Sequence, residues 1–237
     1  GTIPHSTQGT DNTDVINGGT NPDLIDYRGG DDEGSGAQGA DCLRGGDGFD
    51  LLGGGDDNDW LWGENGPDDL TGGRGGDRLY GGEGFDFLAG GIGDDILYGE
   101  DGPDDMDGGH EDDYLSGGGD IDFLEGGLGS DRIDAGDGDD EAAGGKGNDR
   151  IYGGDGVDQI SGGLGDDRLS GGRGNDNIDG GEGRNTYSGG SGDDAIDAAN
   201  GSLESINCGP GRDVVRADGR DRLRGCEKVY RLTLVKR

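Results

Sequence analysis

An acid recurs every nine residues through most of this 237-residue chain. Set in register from Gly9 to Asp197, the chain divides into 21 nonapeptides without insertion or deletion, and the sixth place is Asp in 20 of them. The candidate ligands are Asp14, Asp23, Asp41, Asp50, Asp59, Asp68, Asp77, Asp86, Asp95, Asp104, Asp113, Asp122, Asp131, Asp140, Asp149, Asp158, Asp167, Asp176 and Asp194. Carboxylates set among glycines supply oxygen donors, and a hard divalent cation takes about six to eight of them. Other chemistry lacks its residues. His5 and His110 are the only histidines, and neither lies in a His-Glu-x-x-His zinc motif. There is no nucleophile elbow, no Gly-x-x-x-x-Gly-Lys-Ser/Thr loop and no EF-hand spacing. A carboxylate saturated with a metal ion is a poor general base, so no enzyme is expected.

The elements that must hold these acids follow from the rest of the repeat. Gly dominates places one, two and four, where positive φ and close approach of backbone to an ion are expected. The eighth place is Leu, Ile or Met in 18 of the 21 repeats. The pattern predicts a turn over the first six residues and a short strand over the last three, with place eight inward and its neighbours outward. Two nonapeptides then make one coil, and coils stack in register about 4.8 Å apart. Some repeats depart from the pattern. Residues 27–35 carry Gly34 in the core place, which predicts a weak coil and little consequence for Asp32. Asn185 replaces the acid, with Tyr187 in the core, and place four is Asp57, Glu111 and Asp120 in three repeats.

Runs such as Gly90-Gly-Ile-Gly-Asp-Asp-Ile-Leu-Tyr98 and Gly162-Gly-Leu-Gly-Asp-Asp-Arg-Leu-Ser170 carry a family resemblance. The array, about four-fifths of the chain, resembles the RTX (repeats-in-toxin) family of calcium-binding β-rolls. The resemblance implies an all-β fold, a right-handed parallel β-roll (β-helix solenoid) of two short-strand sheets, with multiple calcium ions as cofactor. It also implies that each ion lies between two turns on the same edge, one coil apart. One turn would give carbonyls at places two and four and its Asp. The next would give carbonyls at places one and three and its own Asp. Here that set is Gly145, Gly147 and Asp149 with Gly162, Leu164 and Asp167.

Composition agrees with a fold that depends on an ion. Hydrophobic residues supply 27% of the chain, Gly 62 positions, and the formal charge is −35. Taken without order, those values describe a disordered chain. One apolar side chain per nine residues is too little packing to order the backbone. Cations between the turns would balance the charge. We expect a lead-in over 1–8, the β-roll over 9–197, and a C-terminal capping segment over 198–237. The apolar stretch Val229 to Val235 belongs to that cap. Cys226 follows Cys208 by the length of one coil, a spacing that a disulfide spans and that suits an oxidising setting. Cys42 is left over as a free thiol.

A longer duplication, four nonapeptides in length, relates Gly45–Tyr80 to Gly81–Ser116. It accompanies an outward strip of Trp60, Trp62, Tyr80, Tyr98 and Tyr114, which either knits the sheet or receives an extracellular glycan or protein. No run of apolar residues is long enough to span a membrane, and the acidic charge argues against nucleic acid. No charged-then-apolar leader opens the chain, which suggests a mature or excised form, or export without such a leader. The favoured reading is a secreted, monomeric, calcium-dependent structural or export-linked module. An adhesin using the aromatic strip and the noncatalytic tail of a larger secreted enzyme or toxin stay open beside it.

Overall fold

The structure is a computed structural model, and it describes residues 5–232. Every described element is a β-strand, and the strands lie parallel in two sheets wound as a β-solenoid. The chain divides into two compact units, Gly1–Phe123 and Leu124–Arg237. In the first, Trp60–Asn65 pairs with Cys42–Asp47 on one side and Arg78–Glu83 on the other. Asp69–Arg74, from the next nonapeptide, lies in the second sheet between Leu51–Asp56 and Phe87–Ile92. The second unit repeats the arrangement, with Arg150–Asp155 between Arg132–Asp137 and Arg168–Arg173. Paired residues such as Leu61 and Leu79 stand at the same place in alternate repeats, so a coil consists of two nonapeptides as expected.

The strands are longer than the repeat suggested. Most run six residues, from place seven of one nonapeptide to place three of the next, as in Trp60–Asn65. The ladder therefore continues through the glycines, and the turn shrinks to places four to six. Glycine depresses strand propensity, but here the parallel partner above and below fixes its backbone. The glycines also divide their work differently from the expectation. Places two and four take positive φ, as at Gly46 and Gly48, and place one does not. The non-Gly residues with positive φ are Arg28, Ala37, Glu64 and Glu100 at place two, and Asp57, Glu111 and Asp120 at place four.

Place eight forms the core. In the first unit Leu43, Leu61, Leu79 and Leu97 stack from one sheet against Leu52, Leu70, Leu88 and Met106 from the other, all buried. The coil at Gly34 is not hollow. Tyr27, at place one of the same repeat, is fully buried, and a side chain on Gly34 would collide with its hydroxyl. That hydroxyl donates to the Ile16 carbonyl at 2.7 Å. Tyr187 fills the core place of its own repeat, as expected.

Coiling continues past Asp197. Ser205–Asn207 pairs with Thr186–Ser191, and Val214–Asp218 pairs with Ala195–Ala198. Tyr187 pairs there with Ile206, one position later than the regular period would give, so a single residue has been inserted. Lys228–Leu232 closes the described chain, and residues 233–235 of the expected apolar cap lie outside the described residues. Cys208 and Cys226 form a disulfide with Cα atoms 5.2 Å apart, and Cys42 is free and half-buried.

Candidate metal centres

Each place-six aspartate sits at the end of a turn with its carboxylate turned inward under the next coil. Asp50, Asp59, Asp68, Asp86 and Asp104 in the first unit are completely buried. A carboxylate so placed must be paired or protonated. One oxygen is accounted for. The backbone N–H of each Asp donates to Oδ1 of the corresponding Asp one coil on, as from Asp50 to Asp68 at 2.8 Å and from Asp68 to Asp86 at 2.7 Å. The second unit does the same, from Asp149 to Asp167 at 2.9 Å and from Asp158 to Asp176 at 3.1 Å. This ladder fixes the carboxylates in line, one per coil on each edge.

Oδ2 of Asp32, Asp41, Asp50, Asp59, Asp68, Asp77, Asp86, Asp95 and Asp104 is buried without a hydrogen-bond partner. In the second unit the same holds for Asp158, Asp167, Asp176, Asp194 and Asp213, and for Oε2 of Glu204. Burial, together with neighbouring like charge, raises their pKa. Asp68 is pushed up to about 8, Asp59, Asp95 and Asp104 to about 7, and Asp50 to about 6. Burial alone raises Asp77 to about 6. An orphaned buried carboxylate costs free energy, and its repetition at a fixed place points to a common absent partner.

Main-chain oxygens surround these atoms. A side chain on Gly63, at place one, would collide with Asp68 Oδ2 and lie 2.6 Å from the Gly81 carbonyl of the next turn. The same holds at Gly72 with Asp77 and the Gly90 carbonyl, and at Gly171 with Asp176 and the Gly189 carbonyl. Outside Tyr27 and Ala135, place one is glycine because carboxylate and carbonyl oxygens converge where a Cβ would stand. The carbonyls at places two and four aim the other way, so that side chains on Gly163 and Gly165 would strike the Gly145 and Gly147 oxygens. Of the set implied by resemblance, the Leu164 carbonyl already accepts the Gly147 N–H at 2.8 Å, which leaves it one lone pair. No group of three or more His, Cys, Asp or Glu side chains converges among the described residues. One carboxylate per turn with main-chain oxygen for the remainder cannot form such a group. Donors of this kind fit calcium, a hard ion tolerant of irregular coordination.

The family profile for the RTX calcium-binding nonapeptide repeat matches residues 35–70, 71–106, 107–142, 134–169 and 161–196. The chain belongs to that family. It is a calcium-binding repeat module, and its repeats imply calcium ions. A search of curated proteins finds no match. Within this RTX array the ends differ from the middle. Asp14 Oδ2 accepts the Thr10 N–H at 2.6 Å, and Asp23 Oδ2 accepts the Gly19 N–H at 2.8 Å. The first acids are thus closed onto their own turns, where place two does not take positive φ. Asp32, expected to matter little, is buried and bonded like the regular acids. Glu204 and Asp213 also continue the ladder, accepting from Asn185 N at 3.4 Å and Asp194 N at 3.0 Å. The inserted residue hides them from the nonapeptide count. Counting back from the apolar Ile206 and Val215 would find them, since each lies two residues before its core residue.

The outward rings of the aromatic strip lie against one another across neighbouring strands. Trp62 stacks on Tyr80 at 5.7 Å and Tyr80 on Tyr98 at 5.1 Å, while Tyr114 meets Tyr98 edge-on at 5.8 Å. The Arg44 guanidinium lies 5.1 Å from the Trp62 ring, and Arg78 lies 5.0 Å from Trp60. These contacts are cross-strand and cation–π pairs of the kind that add to a sheet's stability.

Proposed function

We propose that this chain is a secreted, non-enzymatic β-roll module whose coils close on calcium, one ion between each pair of successive turns on the same edge. The observation that carries the reading is the file of buried Asp Oδ2 atoms without donors, repeated at every coil from Asp32 to Asp104. Calcium would be held by Asp Oδ2 from the two turns, by place-two and place-four carbonyls of one, and by place-one carbonyls of the next. It supplies the positive charge that lets those carboxylates remain buried and ionised. Without it, repulsion within a chain of formal charge −35 opposes the fold. A setting outside the cell, where calcium is plentiful, suits such a module, and the Cys208–Cys226 disulfide supports an oxidising location. Circular dichroism of the full chain during a calcium titration tests the proposal. We expect little strand signal in chelator and a cooperative gain with calcium. A fully formed solenoid in excess chelator would refute it.

A further inference from the structure

One turn has its ligands already engaged. Between the turns at Gly180 and Glu204, the side-chain amide of Asn200 projects among the oxygens that line the other cradles. Its Nδ2 lies 2.8 Å from the Gly181 carbonyl, 3.0 Å from the Gly183 carbonyl and 2.8 Å from Glu204 Oε1. Gly181 and Gly183 are places two and four of their nonapeptide, and Glu204 is the ladder acid of the next coil. The amide nitrogen thus faces three of the groups assigned to an ion elsewhere. Its orientation is fixed by chemistry, since Asn200 Oδ1 accepts the Ser202 N–H at 2.8 Å, and the reverse orientation would set oxygen against three oxygens.

The neighbouring residues complete the substitution. Asn185 stands where the regular acid would be, and its Nδ2 donates to the place-one carbonyl of Gly180 at 2.9 Å. The carbonyls at places two and four of this turn thus receive the Asn200 amide, while the place-one carbonyl, which faces the preceding turn, receives that of Asn185. One of the two carboxylates that would flank an ion is missing, so a divalent cation here would have half its usual balancing charge. Tyr187 is buried beside them, with its hydroxyl 3.4 Å from Glu204 Oε1. The residue inserted after Asp197 lengthens this connection and accompanies the inward turn of Asn200.

We propose that the Asn200 amide takes the place of a calcium ion between the turns of Gly180 and Glu204, so that this cradle excludes calcium and stays closed without it. The inference rests on the calcium reading of the other turns and refines it. The array is not uniform, and one coil is held by a covalently attached donor at fixed local concentration.

The test uses the oxidised full chain with calcium as the probe, reading bound ions by native mass spectrometry and backbone protection by hydrogen exchange. In the parent protein, amides of residues 181–207 should stay protected in chelator while those of residues 63–104 exchange freely. Asn200→Ala should lose that protection in chelator, regain it with calcium, and bind one more ion than the parent. Asn185→Asp combined with Asn200→Ala restores the regular acid and should bind the additional ion more tightly. Equal ion counts in the parent and both variants would overturn the inference, as would equal exchange of the two segments in parent protein under chelator. A parent protein that binds no calcium would instead remove the reading on which it rests.

Discussion

Asp68→Ala is the sharpest single perturbation of the ladder. The carboxylate lies between successive coils on one edge, its Oδ1 accepting from Asp50 N at 2.8 Å and its own N–H donating to Asp86 Oδ1 at 2.7 Å. If each ion sits between adjacent turns, the residue serves two ions, one shared with Asp50 and one with Asp86. At calcium one hundred times Kd, each site contributes about 2.7 kcal/mol, so losing two removes about 5 kcal/mol of calcium-dependent stability. The lost hydrogen bond to a charged acceptor adds about 1.5–3 kcal/mol. In chelator the balance differs, because the same substitution removes a buried carboxylate whose pKa is raised to about 8. Stability should therefore fall steeply in calcium and much less without it. Native mass spectrometry and denaturant titrations in calcium and in chelator give both quantities. Asp69→Ala, one residue on and at an outward place, controls for charge. If Asp68→Ala loses no more ions than Asp69→Ala, the shared-ligand geometry is wrong.

Three further outcomes follow. Tyr27→Ala should destabilise the first coils by about 3–5 kcal/mol, read by hydrogen exchange over residues 16–52, because the Tyr27 ring occupies the space at Gly34. The calcium midpoint should rise as pH falls from about 8 to 6, since the raised carboxylates of Asp59, Asp68, Asp95 and Asp104 must release protons to take an ion. In chelator the sign reverses. The folded state holds more protons than the unfolded chain, so strand signal should grow on acidification from pH 8 toward the ordinary carboxylate range, and circular dichroism across that range checks both trends. Reducing the Cys208–Cys226 bond, which closes a loop of a single coil, should cost about 3 kcal/mol and raise the calcium needed for folding, measured by titration with and without reductant.

The solenoid and its acids were legible because place six and place eight leave a mark at every repeat. What the repeat could not display is compensation. Gly34 reads as a missing core residue, and only the fold shows Tyr27 reaching across from place one to fill it. The glycine at place one reads as a flexible turn residue, yet its backbone is ordinary and its missing Cβ makes room for oxygen, as at Gly63 beside Asp68. At place two, Arg28, Ala37, Glu64 and Glu100 give no sign in their side chains of the positive φ they accept there. Parallel pairing, on both sides at Glu64 and Glu100 and on one side at Arg28 and Ala37, holds these residues in a backbone region that their side chains disfavour. Past Asp197 a one-residue insertion moves Glu204 and Asp213 out of phase, and periodicity alone could not recover them. Asn200 lies outside any repeat, so nothing in its spacing marks it.

The stacked rings also give the molecule an optical address. Both tryptophans of the chain, Trp60 and Trp62, lie in the N-terminal unit, and Tyr80, stacked on Trp62, with Tyr98 stacked on it in turn, is brought within reach only when coils are in register. Tyrosine-to-tryptophan energy transfer onto these rings will accordingly sense closure of that unit. The C-terminal unit contains no tryptophan. A titration followed by tryptophan emission would trace a full transition of its own unit while remaining blind to the coil in which Asn200 sits.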